Sequence, residues 1–270
     1  MLEIKNISKT FAPKTVNEVR ALQQVSLQIS KGSFTGVIGT NGSGKSTLLN
    51  AIAGNFELDR GSVVLDGQNI TRWPEFKRAK LIGRVFQNPF AGSAAGMSIA
   101  ENIVMAMRRG RGWSLRTAVT SSERREMAEK VHSLKMGLED RLDNPIGNLS
   151  GGQRQALTLL MATWLKPKLL LLDEHTAALD PKSAAKVAEL TSKIIAEEKL
   201  TALMVTHSMQ QAVDLPGRII MMHRGQVVED FRDEMKQRVR VPDLIRVFER
   251  VQKMELFDQS VAEMLEQQYV

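Results

Sequence analysis

Cysteine is absent from the 270 residues, which excludes disulfides, thiolate-held metals and a cysteine nucleophile. Histidine is scarce, and the four that occur lie scattered, so no metal cluster can rest on them. Long apolar runs are missing too. The longest uncharged stretch, Val85 to Ala100, contains Gln87, Asn88, Pro89, two glycines and two serines, and it cannot span a bilayer. The N-terminus, MLEIKNISKTF, alternates apolar and polar residues without an apolar h-region, so it reads as a first strand and not as a signal peptide. These absences lead us to expect a protein that stays in the cytoplasm. Internal repeats and low-complexity tracts are also lacking.

What the chain does contain is ordinary for a folded protein: 43% hydrophobic and 25% charged residues, enough for a sizeable core in one large domain or a core carrying a subdomain. The net charge is +7 and the pI about 9.7. Such an excess suits an acidic partner, whether nucleotide, nucleic acid or anionic membrane, but it is too modest to choose among them.

The patterning predicts strands over Leu2–Ile7, Arg20–Ile29 and Phe34–Ile38, a helix over Lys45–Ala53, and a hairpin within Gly61–Ile70 around Asp66-Gly67. From about Asn88 to Gly147 strand signals fade. Met127, Val131, Leu134 and Leu138 instead recur at helical spacing within Arg124–Leu138, which predicts a helical subdomain. Strands return at Leu169–Leu172, Ala202–Thr206 and Arg218–Met222, around a helix that starts at Asp180-Pro181, an N-cap followed by proline at the first helical position. This alternation predicts an α/β fold with a largely parallel sheet covered on both faces. The segment from Phe231 is charged and helix-prone, with Pro242 as a break.

Gly39, Thr40, Asn41, Gly42, Ser43, Gly44, Lys45 and Ser46 fit G-x-x-x-x-G-K-[ST] between a buried strand and a helix, with Thr47 continuing into that helix. The glycines let backbone N–H groups curl around a phosphate, and Lys45 can reach the terminal phosphates. Ser46 offers a hydroxyl to Mg²⁺, and the helix N-terminus adds roughly half a positive charge. Farther on, the apolar run Leu169–Leu172 ends in Asp173 and Glu174. A central strand would deliver both carboxylates to the phosphate end of the sheet, Asp173 for the surroundings of Mg²⁺ and Glu174 to polarise an attacking water. The run Leu149–Gln153 admits two readings. Ser150 and Gln153 can form a capping box, but the adjacent Gly151 and Gly152 each cost up to about 1 kcal/mol in a helix and so favour close backbone approach to a phosphate.

With these motifs in hand, the chain resembles the nucleotide-binding subunits of ATP-binding cassette (ABC) transporters over about residues 1 to 230. The resemblance is carried by LSGGQ at Leu149–Gln153, in order with the phosphate loop, Gln87, Asp173-Glu174, Ala178-Leu179-Asp180 and His207. It implies a P-loop NTPase, RecA-like core with an antiparallel β edge, a helical signature subdomain at about 88–165, and a C-terminal helical extension over 231–270. It further implies that two copies pair head to tail, each ATP lying between one copy's phosphate loop and the other's Ser150, Gly151, Gly152 and Gln153. Gln87 would then watch Mg²⁺ and the nucleophilic water, Asp180 would cross the dimer interface, and His207 would hold the γ-phosphate. Phe11 stands where such subunits place an aromatic ring on adenine, although a phenylalanine after a strand is also a common core residue. Two positions depart from the family pattern: His175 replaces a frequent proline, and Ser208 a frequent aspartate.

The resemblance implies an ATP hydrolase that cannot transport alone and needs a separate membrane permease. The runs RVFQNPFAGSAAGMSIAEN, LLLLDEHTAALDP and VTHSMQQA are similar to ATPase subunits of importers that work with a solute-binding protein, often for amino acids. Such a subunit sits peripherally on the inner face of the cell membrane. The runner-up is an exporter or lipoprotein-extraction ATPase. A cassette acting on nucleic acid is disfavoured, because neither a long coiled-coil insertion nor a second cassette is present. The stretch from Gln87 through Arg108, Arg109, Arg111, Trp113 and Arg116 is either a solvated basic loop or the permease's docking surface.

Overall fold

A computed structural model describes residues 1–110, 119–251 and 253. In chain order it runs β1 (Leu2–Phe11), β2 (Val19–Ile29), β3 (Phe34–Gly39), α1 (Lys45–Ala53), β4 (Arg60–Leu65), β5 (Gln68–Asn69), α2 (Glu75–Arg78) and β6 (Ile82–Val85). There follow α3 (Ile99–Met107), α4 (Ser121–His132), α5 (Gly151–Thr163), β7 (Leu169–Asp173), α6 (Pro181–Glu197), β8 (Ala202–Val205), α7 (Met209–Asp214), β9 (Arg218–His223), β10 (Gln226–Phe231) and α8 (Asp233–Arg238).

Two sheets result. The larger has the order β10-β9-β3-β8-β7-β6 and is parallel except for β10, which pairs antiparallel with β9. Its inner strands are apolar on both sides because helices cover both faces. Leu169 and Leu171 point to the cluster that contains Leu48, Leu49 and Ile52 of α1, whereas Leu170 and Leu172 point to the cluster under Ile195 of α6, the two-residue alternation of a strand. The second sheet, β2-β1-β4-β5, is antiparallel. Leu2, Ile4, Leu27, Val63 and Leu65 from it join the same cluster as α1, so the helix that follows the glycine loop is held between two sheets. The expected hairpin joins β4 to β5 through Asp66 (φ 53°) and Gly67 (φ 79°), the paired positive φ that a tight two-residue hairpin turn requires.

Helices α3, α4 and α5 share a separate core with Met127, Val131, Leu134 and Leu138. Capping boxes start α3 (Ser98 with Glu101) and α4 (Thr120 with Glu123). The periodicity over Arg124–Leu138 therefore marks buried residues correctly but overruns the helix. Helix α4 stops at His132, Lys135 turns the chain in the left-handed region (φ 52°), and Leu134 and Leu138 reach the same core from the turn. Arg111, Trp113 and Arg116 lie outside the described residues.

After α8 the chain enters a further helix over 241–251. Pro242 does not break this segment but sits in the helix's first turn, where its missing N–H is no loss; the break falls at Val239 and Arg240 instead. The Asp243 carboxylate accepts from the Arg240 backbone N–H at 2.9 Å and fastens the start. Leu244, Val247 and Phe248 pack on Ile38, Ile219 and Met221 of the large sheet. Among the described residues, no helix is long and apolar enough to cross a membrane.

Candidate functional site

The parallel strands of the large sheet end together, and their register puts the chemistry on one edge. Val85 lies opposite Leu172, Asp173 opposite Val205, and Val37 opposite Val205. The segments that continue past these strand ends therefore bring Gln87, Glu174, His207 and the loop after Gly39 to the carboxyl edge, where open α/β sheets bind their ligands.

The glycines of the loop have separate reasons. A Cβ on Gly39 would lie 2.3 Å from the Met222 carbonyl oxygen and 2.4 Å from Ser43 Oγ, so the strand end leaves it no room. Gly42 is surrounded by open space but has φ +77°, and Gly44 combines φ +97° with a Cβ site 2.5 Å from the Ala21 carbonyl oxygen. Gly44 caps α1 without a side-chain hydrogen bond, and the first turn of α1 holds no acidic residue. Its amides are thus left to an anion from outside. Lys45 is 5% exposed and donates to the carbonyl oxygens of Gly39 (2.9 Å) and Thr40 (3.0 Å). Burial holds its ammonium below the ordinary lysine range, while the charges of Glu174 and Asp173 pull it back up. The result is a cation held by two backbone oxygens of the loop itself, in reach of the space where phosphates would stand.

Ser46 Oγ lies 3.5 Å from Asp173 Oδ1. A hydroxyl and a carboxylate oxygen facing one another are hard oxygen donors, the kind Mg²⁺ takes. The other oxygen, Asp173 Oδ2, is 3.3 Å from Arg84 Nη2 on β6. Glu174 has φ 43°, in the left-handed region that non-glycine residues avoid, and its N–H is held by the Val205 carbonyl oxygen at 2.9 Å. Its carboxylate Oε2 stands 3.3 Å from Nδ1 of the exposed His207. Glu174 and His207, far apart in sequence, are thus neighbours in space. Gln87 is exposed just past β6.

The two departures from the family pattern have structural answers. His175 is 1% exposed, and its Nε2 lies 2.9 Å from Thr191 Oγ1 on α6. Because that hydroxyl donates its own proton to the Val187 carbonyl oxygen at 2.7 Å, it must accept from His175, which fixes the neutral ring as the Nε2–H tautomer. Burial pushes the pKa down to about 4. Ser208 caps α7 through the Gln211 N–H, and Gln211 bonds both Thr206 and Thr176. The loops bearing Glu174 and His207 are therefore stitched together behind the carboxylate.

Ser150 does form the capping box with Gln153, at 3.3 Å and 3.2 Å, and Gln153 also donates to the Met136 carbonyl oxygen. A Cβ on Gly152 would lie 2.8 Å from the Ser183 side chain, and one on Gly151 3.2 Å from Leu179. Close passage of α6 is thus a reason inside the chain for Gly152, beside the phosphate approach that the adjacent glycines suggest in sequence. Asp180 caps α6 by accepting from the Ser183 N–H at 3.0 Å, so it lies beside the start of α5. Among the described residues, the side-chain hydrogen bonds of Ser150 and Gln153 go to one another's backbone and to Met136 and do not reach the phosphate loop. Phe11 is 39% exposed, edge-on to Phe56 at 5.3 Å, with Lys9 Nζ 5.6 Å from both ring centres. It is a surface residue and not part of the core.

Sequence reading missed Arg84, whose guanidinium also meets Asn50 Oδ1 (2.6 Å) and Asn55 Oδ1 (3.3 Å). Its neighbours come from three separate segments, and only β6 joining the edge of the sheet assembles them. The same arginine helps line a groove of about 230 Å³ with Glu75, Phe86, Met105, Arg109 and Met161.

The family model described as ABC transporter matches residues 22–177. A tyrosine transport ATP-binding protein of Clostridioides difficile is 41% identical over 250 residues, covering 92% of this chain and 99% of that one. A methionine import ATP-binding protein of Enterococcus faecalis is 34% identical over 232 residues; the match takes in 85% of this chain and 62% of that relative, less than two thirds of its length. Among solved structures, a dimeric ATP-binding cassette in a post-hydrolysis state bound to ADP and Pi superposes with a TM-score of 0.73 at 29% identity, covering 86% of this chain and 98% of that one. A nucleotide-free cassette from an ABC transporter gives 0.72 at 28% identity, with coverages of 87% and 92%.

Proposed function

The chain belongs to the ABC transporter family as one of its ATP-hydrolysing cassettes, and we propose that it powers amino-acid import through a separate membrane permease. The observation that carries this reading is the gathering of Lys45, Ser46, Asp173, Glu174 and His207 on one sheet edge in front of an uncapped helix N-terminus. The relatives named for tyrosine transport and methionine import support the solute class, and the methionine relative's name supports the import direction. The family relationship brings in a permease and a second cassette, and the importer reading adds a solute-binding protein outside the membrane. The cassette itself would lie on the inner face of the cell membrane.

In the mechanism we infer, the α1 amides and Lys45 grip the β- and γ-phosphates of ATP. Ser46, Asp173 and Gln87 would hold Mg²⁺, which when bound would supply positive charge to neutralise the phosphates. Glu174 orients and deprotonates the attacking water, and its left-handed backbone fixes where the carboxylate points. His207, exposed and 3.3 Å from that carboxylate, is free to turn to the γ-phosphate. Ser150, Gly151, Gly152 and Gln153 of a second copy, with Asp180 beside them, close the site. Phe11 gives adenine an exposed ring to stack on.

The test is Glu174→Gln, which keeps shape and removes charge. Hydrolysis should fall roughly 10²- to 10⁴-fold, the worth of a positioned acid-base group. ATP should still bind, so the variant with Mg²⁺-ATP should elute as a dimer on size exclusion. Near-normal turnover would overturn the catalytic assignment.

A further inference from the structure

We propose that Arg84 is a positioning residue for the magnesium-side carboxylate, holding Asp173 so that one oxygen alone is presented to the metal site. The proposal rests on the reading of Asp173 given above.

The two oxygens of Asp173 are divided between two directions. Oδ1 faces the Ser46 hydroxyl at 3.5 Å, and Oδ2 faces Arg84 Nη2 at 3.3 Å. Both side chains are largely buried, 12% exposed for Arg84 and 15% for Asp173, so the pair is only weakly screened. The guanidinium is fixed independently of the aspartate. Asn50 on α1 accepts from it at 2.6 Å, Asn55 accepts at 3.3 Å, and the plane lies over the Phe86 ring at 4.5 Å. A planar fork anchored at several points can fix a carboxylate's rotation, which a single flexible ammonium cannot do.

A competitor makes that fixing matter. Lys45 feels the charge of Asp173 as well as that of Glu174, so Asp173 is attracted by a second cation besides Arg84. Released from Arg84, the carboxylate would be drawn toward Lys45, pairing with the group needed by the phosphates and leaving Ser46 without its facing oxygen. A positive charge near a cation site also opposes the cation, which would give the opposite sign. Orientation outweighs repulsion because Arg84 meets the far oxygen, and its charge is already balanced by the aspartate it holds.

The experiment measures ATP affinity of the purified full chain with Mg²⁺ and with EDTA, using a fluorescent ATP analogue. The ratio of the two affinities is the readout, so each variant's Mg²⁺-free binding serves as its own reference for a folded phosphate loop. Arg84→Lys keeps the charge without the fork, and Arg84→Met removes both. Each should reduce the Mg²⁺-dependent gain by about tenfold, the usual effect of losing a partner behind a metal-binding carboxylate. In an Asp173→Asn background, the same substitutions should change the ratio little. A tighter Mg²⁺ dependence in Arg84→Met, or an Arg84 effect undiminished by Asp173→Asn, would overturn the proposal. If Asp173→Asn alone leaves the ratio at the wild-type value, the magnesium-side reading of Asp173 falls, and the proposal falls with it.

Discussion

Phe11 shows how little separates a surface residue from a functional one. It stands at the end of β1, two-fifths exposed, with Phe56 on its edge and Lys9 beside both rings. An exposed aromatic that is already braced on one side loses little freedom when a base lies on its open face. Phe11→Ala should therefore weaken ATP binding by roughly 1 to 2 kcal/mol, about the loss of one stacked base, while Phe11→Tyr should be nearly silent. Fluorescent nucleotide titration of the folded variants decides it; equal affinities for Phe11→Ala and wild type would leave the ring as a mere partner of Phe56. Gly152 carries a similar ambiguity in reverse. Its lack of a side chain already lets α6 pass at Ser183, so a glycine there is not by itself a sign of ligand.

Elements with strong local signals were legible in the sequence. The phosphate loop could be read because strand, glycines and helix are contiguous, and Asp173-Glu174 because a fully buried strand must end where polar residues begin. Strand β6 could not: it has four residues, one of them Gly83, and it is a strand only because β7 offers a parallel partner. With β6 unseen, Arg84 had no place in the site. His175 was visible as a departure but not as a buried group, since its partner Thr191 is on the next helix. That link from the loop after β7 to α6 has a pH signature. Its folded pKa of about 4 lies below the ordinary 6.5, so the fold holds the neutral ring. The resulting stability is complete above about pH 6.5 and declines as pH falls toward 4. Its size is on the order of 3 kcal/mol for a group so buried. His175→Gln should flatten this part of the pH profile in urea unfolding. A wild-type slope in the variant would mean that other groups cause it.

Across the whole molecule, the proposed function calls for two partner surfaces. The groove beside Arg84, Phe86 and Met105 adjoins the uncharged stretch after Gln87, where Phe90 is 62% exposed under the Arg154 guanidinium. Cysteines introduced into this cysteine-free chain at Phe90 or Met105 should crosslink to a cytoplasmic segment of the permease in an assembled complex. Crosslinks from the C-terminal helix alone would move the docking surface elsewhere. The second surface is the start of α5, where, among the described residues, the side chains of Ser150 and Gln153 bond each other's backbone and Met136 and not the phosphate loop of their own chain. In the shared-site reading proposed above, one chain supplies two different half-sites, and a two-fold pair would complete both through the same patch. Lys45→Ala disables the phosphate grip, and Ser150→Arg blocks the opposing surface, so either homodimer should be nearly inactive. Mixed in equal amounts, they form heterodimers in which one site has both defects and the other has neither. Under random pairing roughly a quarter of all sites should be intact, and steady-state hydrolysis should recover in proportion, scaled by any cooperation between the sites. If the mixture is no more active than either variant alone and Mg²⁺-ATP also brings no heterodimer together on size exclusion, Ser150 does not complete the partner's site, and the shared-site reading would be wrong.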